Sequence, residues 1–95
     1  MKSPAVYIMA NKPNGTLYVG VTSNLIVRVY QHRESIIPGF TSKYGCKNLV
    51  YYEYFEDMLG AISKEKNLKA STRIRKLKLI NNFNPTWNDL YKSII

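Results

Sequence analysis

The sequence is poor in the residues that form disulfides and zinc sites. Its 95 residues contain one cysteine, Cys46, and one histidine, His32. One cysteine excludes an internal disulfide, and two such residues are too few for a Cys/His zinc site. We therefore expect a reducing, cytoplasmic location, and a length of this order predicts one domain over residues 1–95.

Long apolar runs are also missing. No stretch approaches the ~20 apolar residues that a membrane-spanning helix needs. The apolar stretch that follows Lys2 is short and enters a Pro-Asn-Gly turn at residues 13–15. We therefore expect neither a signal peptide nor a membrane partner.

Acidic side chains are scarce: six Asp and Glu stand against fourteen Lys and Arg, for a net charge of +8. Between residues 64 and 78, Glu65 is the one acid in a stretch with seven basic residues: Lys64, Lys66, Lys69, Arg73, Arg75, Lys76 and Lys78. A basic field of this kind favours polyanions, with nucleic acid ahead of an anionic membrane. The alternative is a basic surface that serves only solubility.

Hydrophobic patterning and turn residues predict the element order ββαβαα. The predicted strands cover residues 4–10, 16–21 and 48–55, and the predicted helices run over 25–34, from Asp57 to about Lys69, and from Ser71 or Thr72 to about Asn82. Residues 35–47 are predicted as a loop, and a helical turn is predicted around Trp87–Tyr91. The order indicates a small α/β (α+β) domain, with a three-stranded, mostly antiparallel sheet flanked by helices.

Two tyrosines mark the first two predicted strands. Alternation places Tyr7 and Tyr18 opposite the aliphatic residues of their strands. A hairpin loop of even length puts both rings on one side of the sheet, whereas an odd loop or a bulge separates them. Gly20 leaves space beside a ring or allows close backbone approach. The pair is therefore either part of a small core or part of one reactive site.

The first predicted helix carries a cation and the histidine at the edge of its apolar stripe. That stripe consists of Leu25, Ile26, Val29 and Tyr30. Arg28 and His32 lie four residues apart and are neighbours on the helix surface. An arginine can bind a phosphate through two parallel hydrogen bonds, and a histidine can donate to a phosphate or transfer a proton. The alternatives are a surface arginine and a border histidine.

Glu65 lies on the apolar face of its predicted helix, four residues after Ala61 and three before Leu68. A half-buried carboxylate needs a cation or strong hydrogen bonds. One interpretation is a structural ion pair with Arg28 or a lysine. The other is a ligand for a hard cation such as Mg²⁺, for which one carboxylate, waters and a substrate phosphate suffice.

Several short motifs, in this order and spacing, resemble the GIY-YIG endonucleases. They are "AVY" at 5–7, "YVG" at 18–20, Arg28 eight residues after that glycine, the helical Glu65, and Asn88 three residues after Pro85. The stretches "GFTSKYG", "LVYYE" and "NPTWNDL" are similar to small standalone bacterial members related to the excinuclease C N-terminal domain. Ala5, Val6 and Val19 depart from the motif letters, which alters packing more than chemistry.

The resemblance implies metal-dependent hydrolysis of DNA phosphodiester bonds. The tyrosine matching Tyr18 lies near the nucleophilic water in the family, and the tyrosine matching Tyr7 positions water or assists proton transfer. The arginine matching Arg28 stabilises phosphorane charge. The glutamate matching Glu65 binds one divalent metal ion, most simply Mg²⁺, with Mn²⁺ as an option.

Two further positions carry over from the resemblance. A histidine at the place of His32 contributes to the site in some homing members, and Asn88 matches an asparagine that supports the site. Because no DNA-specificity domain is expected, we predict cleavage that is structure-selective or non-specific, in DNA repair or recombination.

The predicted nucleic-acid contacts are Lys64, Lys66, Lys69, Arg73 and Lys76. The expected partner is DNA, with RNA and an unknown protein partner left open. One alternative function is a nucleic-acid-binding module on a nuclease fold without turnover. Another is a domain that binds only proteins.

Overall fold

The computed structural model describes residues 3–95, which form one three-stranded sheet and five helices. The strands are β1 (Ala5–Ala10), β2 (Leu17–Thr22) and β3 (Asn48–Tyr54), and the helices are α1 (Leu25–Arg33), α2 (Phe40–Tyr44), α3 (Met58–Ala70), α4 (Arg73–Phe83) and α5 (Tyr91–Ile94). The strands pair antiparallel in the order β2-β1-β3. The predicted α+β architecture is confirmed.

The β1–β2 hairpin has an even loop, residues 11–16. Asn14 adopts a positive φ of 57°, which suits the Asn-Gly turn, and the Asn11 side chain accepts a hydrogen bond from the Thr16 amide at 2.8 Å. In this register Tyr7 pairs with Gly20, and Met9 pairs with Tyr18. Cross-strand partners share a face, so both tyrosines lie on the same side of the sheet.

Both faces of the sheet are covered. One face carries a hydrophobic cluster, mostly aliphatic, built around Val6, Ile8, Val19, Val50, Ala61, Leu68, Ile80 and Trp87. The other carries a second cluster of Ala5, Tyr7, Met9, Leu25, Val29, Cys46 and Leu49. Because β1 is the central strand between these clusters, all of its residues are buried, and Tyr7 is only 1% exposed.

Polar caps decide where the helices begin. The Asn24 side chain accepts from the Val27 amide, Asp57 from the Gly60 amide and Thr72 from the Arg75 amide. Each cap satisfies an amide that has no partner in the first helical turn. The predicted cap at Asp57 is confirmed, the sequence offers Ser23 or Asn24 for α1 and the structure uses Asn24, and of Ser71 and Thr72 it uses Thr72. No helix within residues 3–95 is long and apolar enough to cross a membrane.

Helix α1 is rotated relative to its predicted apolar stripe. Leu25, Val29 and His32 are buried, whereas Ile26 and Tyr30 are 43% and 48% exposed. Assigning Ile26 and Tyr30 to the buried stripe was wrong. The polar ring of His32 can occupy the buried face because both of its nitrogens find partners there.

Two predictions about irregular segments need correction. The predicted loop 35–47 contains α2, which lies between Gly39 at φ 126° and Gly45 at φ 67°. The predicted helical turn at 87–91 is displaced to α5. The buried Asn84 side chain donates to the Val50 and Asn88 carbonyls, and Trp87 has a positive φ of 55°, so this stretch stays non-helical.

Candidate active site

Three buried side chains from three separate elements form a hydrogen-bonded chain. The Tyr7 hydroxyl of β1 lies 2.8 Å from His32 Nε2 of α1, and His32 Nδ1 lies 2.9 Å from Thr41 Oγ1 of α2. A neutral imidazole has one donor and one acceptor nitrogen. One of the two bonds is therefore donated by the ring and the other accepted by it, which connects Tyr7 to Thr41 through a single tautomer.

Burial keeps Tyr7 and His32, the two titratable members of this hydrogen-bonded chain, uncharged. Desolvation raises the pKa of the Tyr7 phenol, Tyr18 and Glu65 add to this, and the nearby Arg28 guanidinium opposes it. Desolvation and then the charge of Arg28 lower the pKa of His32 to about 4. At neutral pH Tyr7 is therefore a phenol and His32 a neutral imidazole, which suits a proton donor next to a proton acceptor.

Tyr18 completes the aromatic group and is the more accessible tyrosine. Its ring centroid lies 6.4 Å from that of Tyr7 and 5.5 Å from that of His32. Tyr18 is partly exposed, whereas Tyr7 and His32 are buried. The surface of this group that a ligand can reach is therefore the Tyr18 side.

Gly20 creates the space that Tyr7 occupies. A Cβ at residue 20 would lie 2.4 Å from both Cζ and the hydroxyl oxygen of Tyr7, far inside contact distance. Tyr7 is held in the sheet core and cannot swing away without vacating its place beside His32. Of the two roles expected for Gly20, the space beside a ring is therefore the one that the structure displays.

We expect Gly20→Ala to destabilise the fold by about 2–3 kcal/mol through overpacking against Tyr7. Urea unfolding should show this loss, and Gly20→Ala should also move the Tyr7 ring away from His32. Gly60→Ala is the matched control, because a Cβ there meets Asp57 Oδ1 at 3.2 Å on the exposed start of a helix. Equal effects of the two substitutions would contradict the packing argument.

Arg28 and Glu65 supply the charges that act on this group. Arg28 is half-buried on α1, one turn before His32, and its positive charge affects the pKa of both Tyr7 and His32. Helix α3 packs on the opposite face of the sheet through Ala61 and Leu68, yet the negative charge of Glu65 also acts on Tyr7. The structure therefore brings Tyr7, Tyr18 and His32 into contact beside Arg28, whereas Glu65 acts on Tyr7 from α3 and is the smallest of the influences on its pKa.

Glu65 is on the inward side of α3, as its spacing predicts. Its side chain is 14% exposed, and Oε2 lies 2.9 Å from Nζ of Lys69, one turn later. Of the partners considered for a structural ion pair, the lysine is the one present. The Lys69 side chain is 52% exposed, so this pair is screened and adds little stability.

The donor set around Glu65 fits a weakly held hard cation. Among residues 3–95 no three His, Cys, Asp or Glu side chains gather as a metal cage. Mg²⁺ is commonly bound by one or two carboxylates together with waters and substrate phosphates. A partly buried carboxylate with one exposed lysine partner meets that requirement when a phosphate is bound beside it.

The basic residues predicted to contact nucleic acid differ in their exposure and in the bonds that they make to other residues of the protein. The Arg73 guanidinium donates to the Asn14 and Gly15 carbonyls at 2.7 and 2.6 Å, which ties the start of α4 to the hairpin turn. Lys64 Nζ lies 4.0 Å from Glu53 Oε1, a weak contact. Lys66 is exposed and Lys76 is half-buried.

Asn88 lies in the C-terminal turn, with its main chain bonded to the Asn84 side chain through both the amide and the carbonyl. Asn88 itself is exposed, whereas Asn84 is buried. A supporting role for the Asn88 side chain stays a prediction. Asn84 helps to hold this segment against β3, together with the Asp89 carboxylate and the Leu90 amide, which both bond the main chain of Leu49.

Sequence reasoning missed Thr41 and Phe40. Thr41 is 4% exposed and bonds His32, while the Phe40 ring lies 5.9 Å from that of Tyr18. The signal was the pair of glycines at 39 and 45, which are typical of a short helix bounded by residues with positive φ. This short helix matters to the site only because Thr41 bonds His32, and His32 is nine residues away in the sequence.

The low pKa of His32 predicts a pH-dependent stability. In the unfolded chain a histidine titrates near its usual value of about 6.5, and in the fold near 4. The unfolded state therefore binds more protons between these values, and the free energy of unfolding falls as pH drops from about 6.5 towards 4. The full contribution is present above pH 6.5.

We expect His32→Gln to flatten this dependence between pH 5 and 6.5, where carboxylates contribute less. Urea midpoints at half-unit pH steps would measure it, at most ~1.4 kcal/mol per pH unit for one proton. Thr41→Val, which removes only the bond to Nδ1, should keep a slope of the same sign. A wild-type stability that rises on acidification would contradict the argument.

Comparison with known proteins identifies the family to which the chain belongs. The sequence model of the GIY-YIG catalytic domain matches residues 3–78, the region that holds the sheet, both tyrosines, Arg28, His32 and Glu65. The chain therefore belongs to the GIY-YIG family, a nuclease family, and its α+β fold agrees with that membership.

The relatives are small proteins of similar length. A UPF0213 protein of Clostridium perfringens is 40% identical over 75 residues, which cover 79% of this chain and 80% of the relative. A UPF0213 protein of Staphylococcus aureus is 34% identical over 80 residues, covering 84% of this chain and 96% of that one. One from Pediococcus pentosaceus is 36% identical over 67 residues, covering 70% of each. No solved structure matches the chain significantly.

Proposed function

We propose that this protein is a metal-dependent endonuclease that hydrolyses DNA phosphodiester bonds, structure-selectively or without sequence preference. The observation that carries the proposal is the convergence of Tyr7, Tyr18 and His32 beside the positive charge of Arg28, with the negative charge of Glu65 also acting on Tyr7 from α3. Membership of the GIY-YIG family supports the same chemistry. A role in DNA repair or recombination, in the reducing cytoplasm, would suit such an activity.

In this proposal the accessible Tyr18 lies next to the attacking water, and the buried Tyr7–His32 pair supports this position through its hydrogen bond. Tyr7 stays protonated because burial raises the pKa of its phenol, so it acts as a hydrogen-bond donor and not as the base. His32 is neutral, and its Nε2 can accept the hydrogen bond that the Tyr7 hydroxyl donates. Thr41 fixes the orientation of the imidazole ring through Nδ1.

Arg28 would stabilise the extra negative charge that develops on the phosphorus oxygens. Preorganised donors aimed at developing charge commonly contribute the largest share of catalysis. Helix α1 holds Arg28 beside Tyr7 without a carboxylate partner among the ion pairs of residues 3–95, so its charge remains available for a phosphate.

Glu65 would hold a divalent cation, Mg²⁺ or Mn²⁺, together with a substrate phosphate. When bound, the ion supplies Lewis acidity and charge neutralisation at the leaving oxygen. Lys69 would be displaced from Glu65 and become free to contact the nucleic-acid backbone, as proposed for Lys64, Lys66, Arg73 and Lys76. Asn88 is proposed to support the site.

A second candidate is a nucleic-acid-binding module without turnover. The Glu65–Lys69 ion pair favours it, because a carboxylate already neutralised by a lysine resists metal binding. The two candidates share the basic surface and the salt-sensitive binding that follows from phosphate contacts. They differ in whether a covalent bond is broken.

The deciding experiment incubates the protein with single-stranded, duplex, flap and forked DNA, in Mg²⁺, Mn²⁺ or EDTA, and measures binding and cleavage separately. RNA of the same sequence is the parallel substrate. Cleavage in Mg²⁺ that stops in EDTA supports the endonuclease. Salt-sensitive binding without cleavage in either metal supports the binding module, and binding to neither DNA nor RNA would overturn both.

A further inference from the structure

A short stack of aromatic rings continues outward from the site. Phe40 and Tyr44 occupy one face of α2, are 43% and 45% exposed, and have ring centroids 4.6 Å apart. Phe40 in turn lies 5.9 Å from Tyr18. We name Tyr18, Phe40 and Tyr44 the aromatic ledge.

The ledge is fixed to the proposed reaction centre. Thr41 follows Phe40 on α2 and points inward, where its hydroxyl lies 2.9 Å from His32 Nδ1. The Cys46 amide donates to the Thr41 carbonyl at 2.9 Å, and Cys46 belongs to the hydrophobic cluster that contains Tyr7. These bonds fix helix α2, and therefore the rings of Phe40 and Tyr44, in position relative to Tyr18.

The exposure of the Phe40 and Tyr44 rings indicates a binding surface. Large aromatic side chains contribute most to stability when buried, yet two neighbouring ones remain nearly half exposed here. The neighbouring Lys43 ammonium lies 5.4 Å over the Tyr44 ring. The surface thus combines aromatic faces with a positive charge one residue away, on a chain of net charge +8.

A nucleotide matches this combination better than an apolar side chain does. Each nucleotide offers one flat aromatic base and one negative phosphate, and bases stack on exposed aromatic side chains while cations track the backbone. A base inside a duplex has both faces covered by its neighbours, so only an unpaired base can use the ledge.

We propose that the aromatic ledge is a stacking subsite for an unpaired nucleobase beside the cleaved phosphate, which selects single-stranded or locally unpaired nucleic acid. The position of this subsite beside the cleaved phosphate rests on the proposed nuclease function. The stacking itself is tested without cleavage, so the two can fail independently.

The test is binding in EDTA to a single-stranded oligonucleotide that contains 2-aminopurine, whose fluorescence is quenched when the base stacks. The matched duplex is the comparison substrate. We expect Phe40→Leu and Tyr44→Leu each to weaken single-strand binding about tenfold and to reduce the quenching, with duplex binding nearly unchanged. Leucine keeps apolar volume but offers no aromatic face.

Two variants sharpen the result. Tyr44→Phe keeps the ring and should bind like the wild type. Tyr30→Leu removes an aromatic residue of similar exposure, 48%, from the outward face of α1 and should also bind like the wild type. Circular dichroism of each variant checks that α2 and the fold persist.

Three outcomes would overturn the proposal. They are equal losses of single-strand and duplex binding in the leucine variants, no quenching in the wild type, and wild-type binding of both leucine variants. In the last case an apolar partner protein becomes the better occupant. If quenching is seen but no substrate is cleaved in Mg²⁺ or Mn²⁺, the stacking subsite stands and the nuclease proposal fails.

Discussion

Glu65→Gln is expected to lower DNA cleavage by about a thousandfold, the scale at which a key electrostatic group contributes to catalysis. The amide keeps the size of the side chain but removes the charge that would bind the cation. The fold should persist, because the Glu65–Lys69 pair joins a partly buried carboxylate to an exposed lysine on the same helix and adds little stability. Single-turnover cleavage at saturating DNA over a range of Mg²⁺ concentrations measures the loss.

Glu56→Gln is the matched control for that substitution. Glu56 is exposed just before α3, and its neutralisation changes the net charge equally without touching the site. It should retain wild-type cleavage. Activity that survives both Glu65→Gln and EDTA would contradict the proposed metal role of Glu65.

A companion variant, Lys69→Gln, tests the competition between lysine and metal. Freeing the carboxylate should lower the Mg²⁺ concentration at which cleavage is half-maximal, even if DNA binding weakens. An unchanged or raised Mg²⁺ requirement would count against metal binding at Glu65.

Arg28→Ala is expected to lower cleavage by about a hundredfold or more, because the charge that develops on the phosphate loses its principal donor. Arg28→Lys should recover only part of the activity, since lysine keeps the charge but loses the planar, forked geometry. Single-turnover rates at saturating substrate separate this effect from weaker binding. Lys92→Ala, which removes an exposed positive charge on α5, should leave the rate unchanged.

The same variant has a readout that does not depend on cleavage. The Arg28 guanidinium contributes to the low pKa of His32, so Arg28→Ala should raise that pKa from about 4 towards the usual range. An NMR titration of the single histidine would follow the shift. An unchanged His32 pKa would show that Arg28 does not act on this group, and would remove the physical basis for its proposed role.

Much of the fold could be predicted because local chemistry encodes it. Asn14 and Gly15 specify the hairpin turn, and Asp57 caps α3 because its side chain reaches the Gly60 amide three residues on. The same holds for the placement of Glu65, because helical periodicity alone puts it on the side of Ala61 and Leu68. Even α2, which was predicted as loop, is bounded by glycines that the sequence displays.

The candidate site was predictable only as a set of residue types. The ordered tyrosines, Arg28 and Glu65 identify the family, and an even hairpin loop is enough to bring Tyr7 and Tyr18 to one face. The sequence could not choose a partner for Glu65, because a lysine one turn away and an arginine on another helix were both possible. Nor could it separate the predicted phosphate contact of Arg73 from its bonds to the hairpin turn.

The sequence by itself thus determined the three strands, the helices α1, α3 and α4, the cap at Asp57 and the basic charge. Tertiary structure alone decided that His32 is buried and neutral, that Thr41 orients it, and that Phe40 and Tyr44 continue the aromatic surface outward. The physical reason is the separation of the partners. Tyr7 and His32 lie 25 residues apart in the chain, and no local propensity specifies a bond that forms only when a helix closes over a sheet.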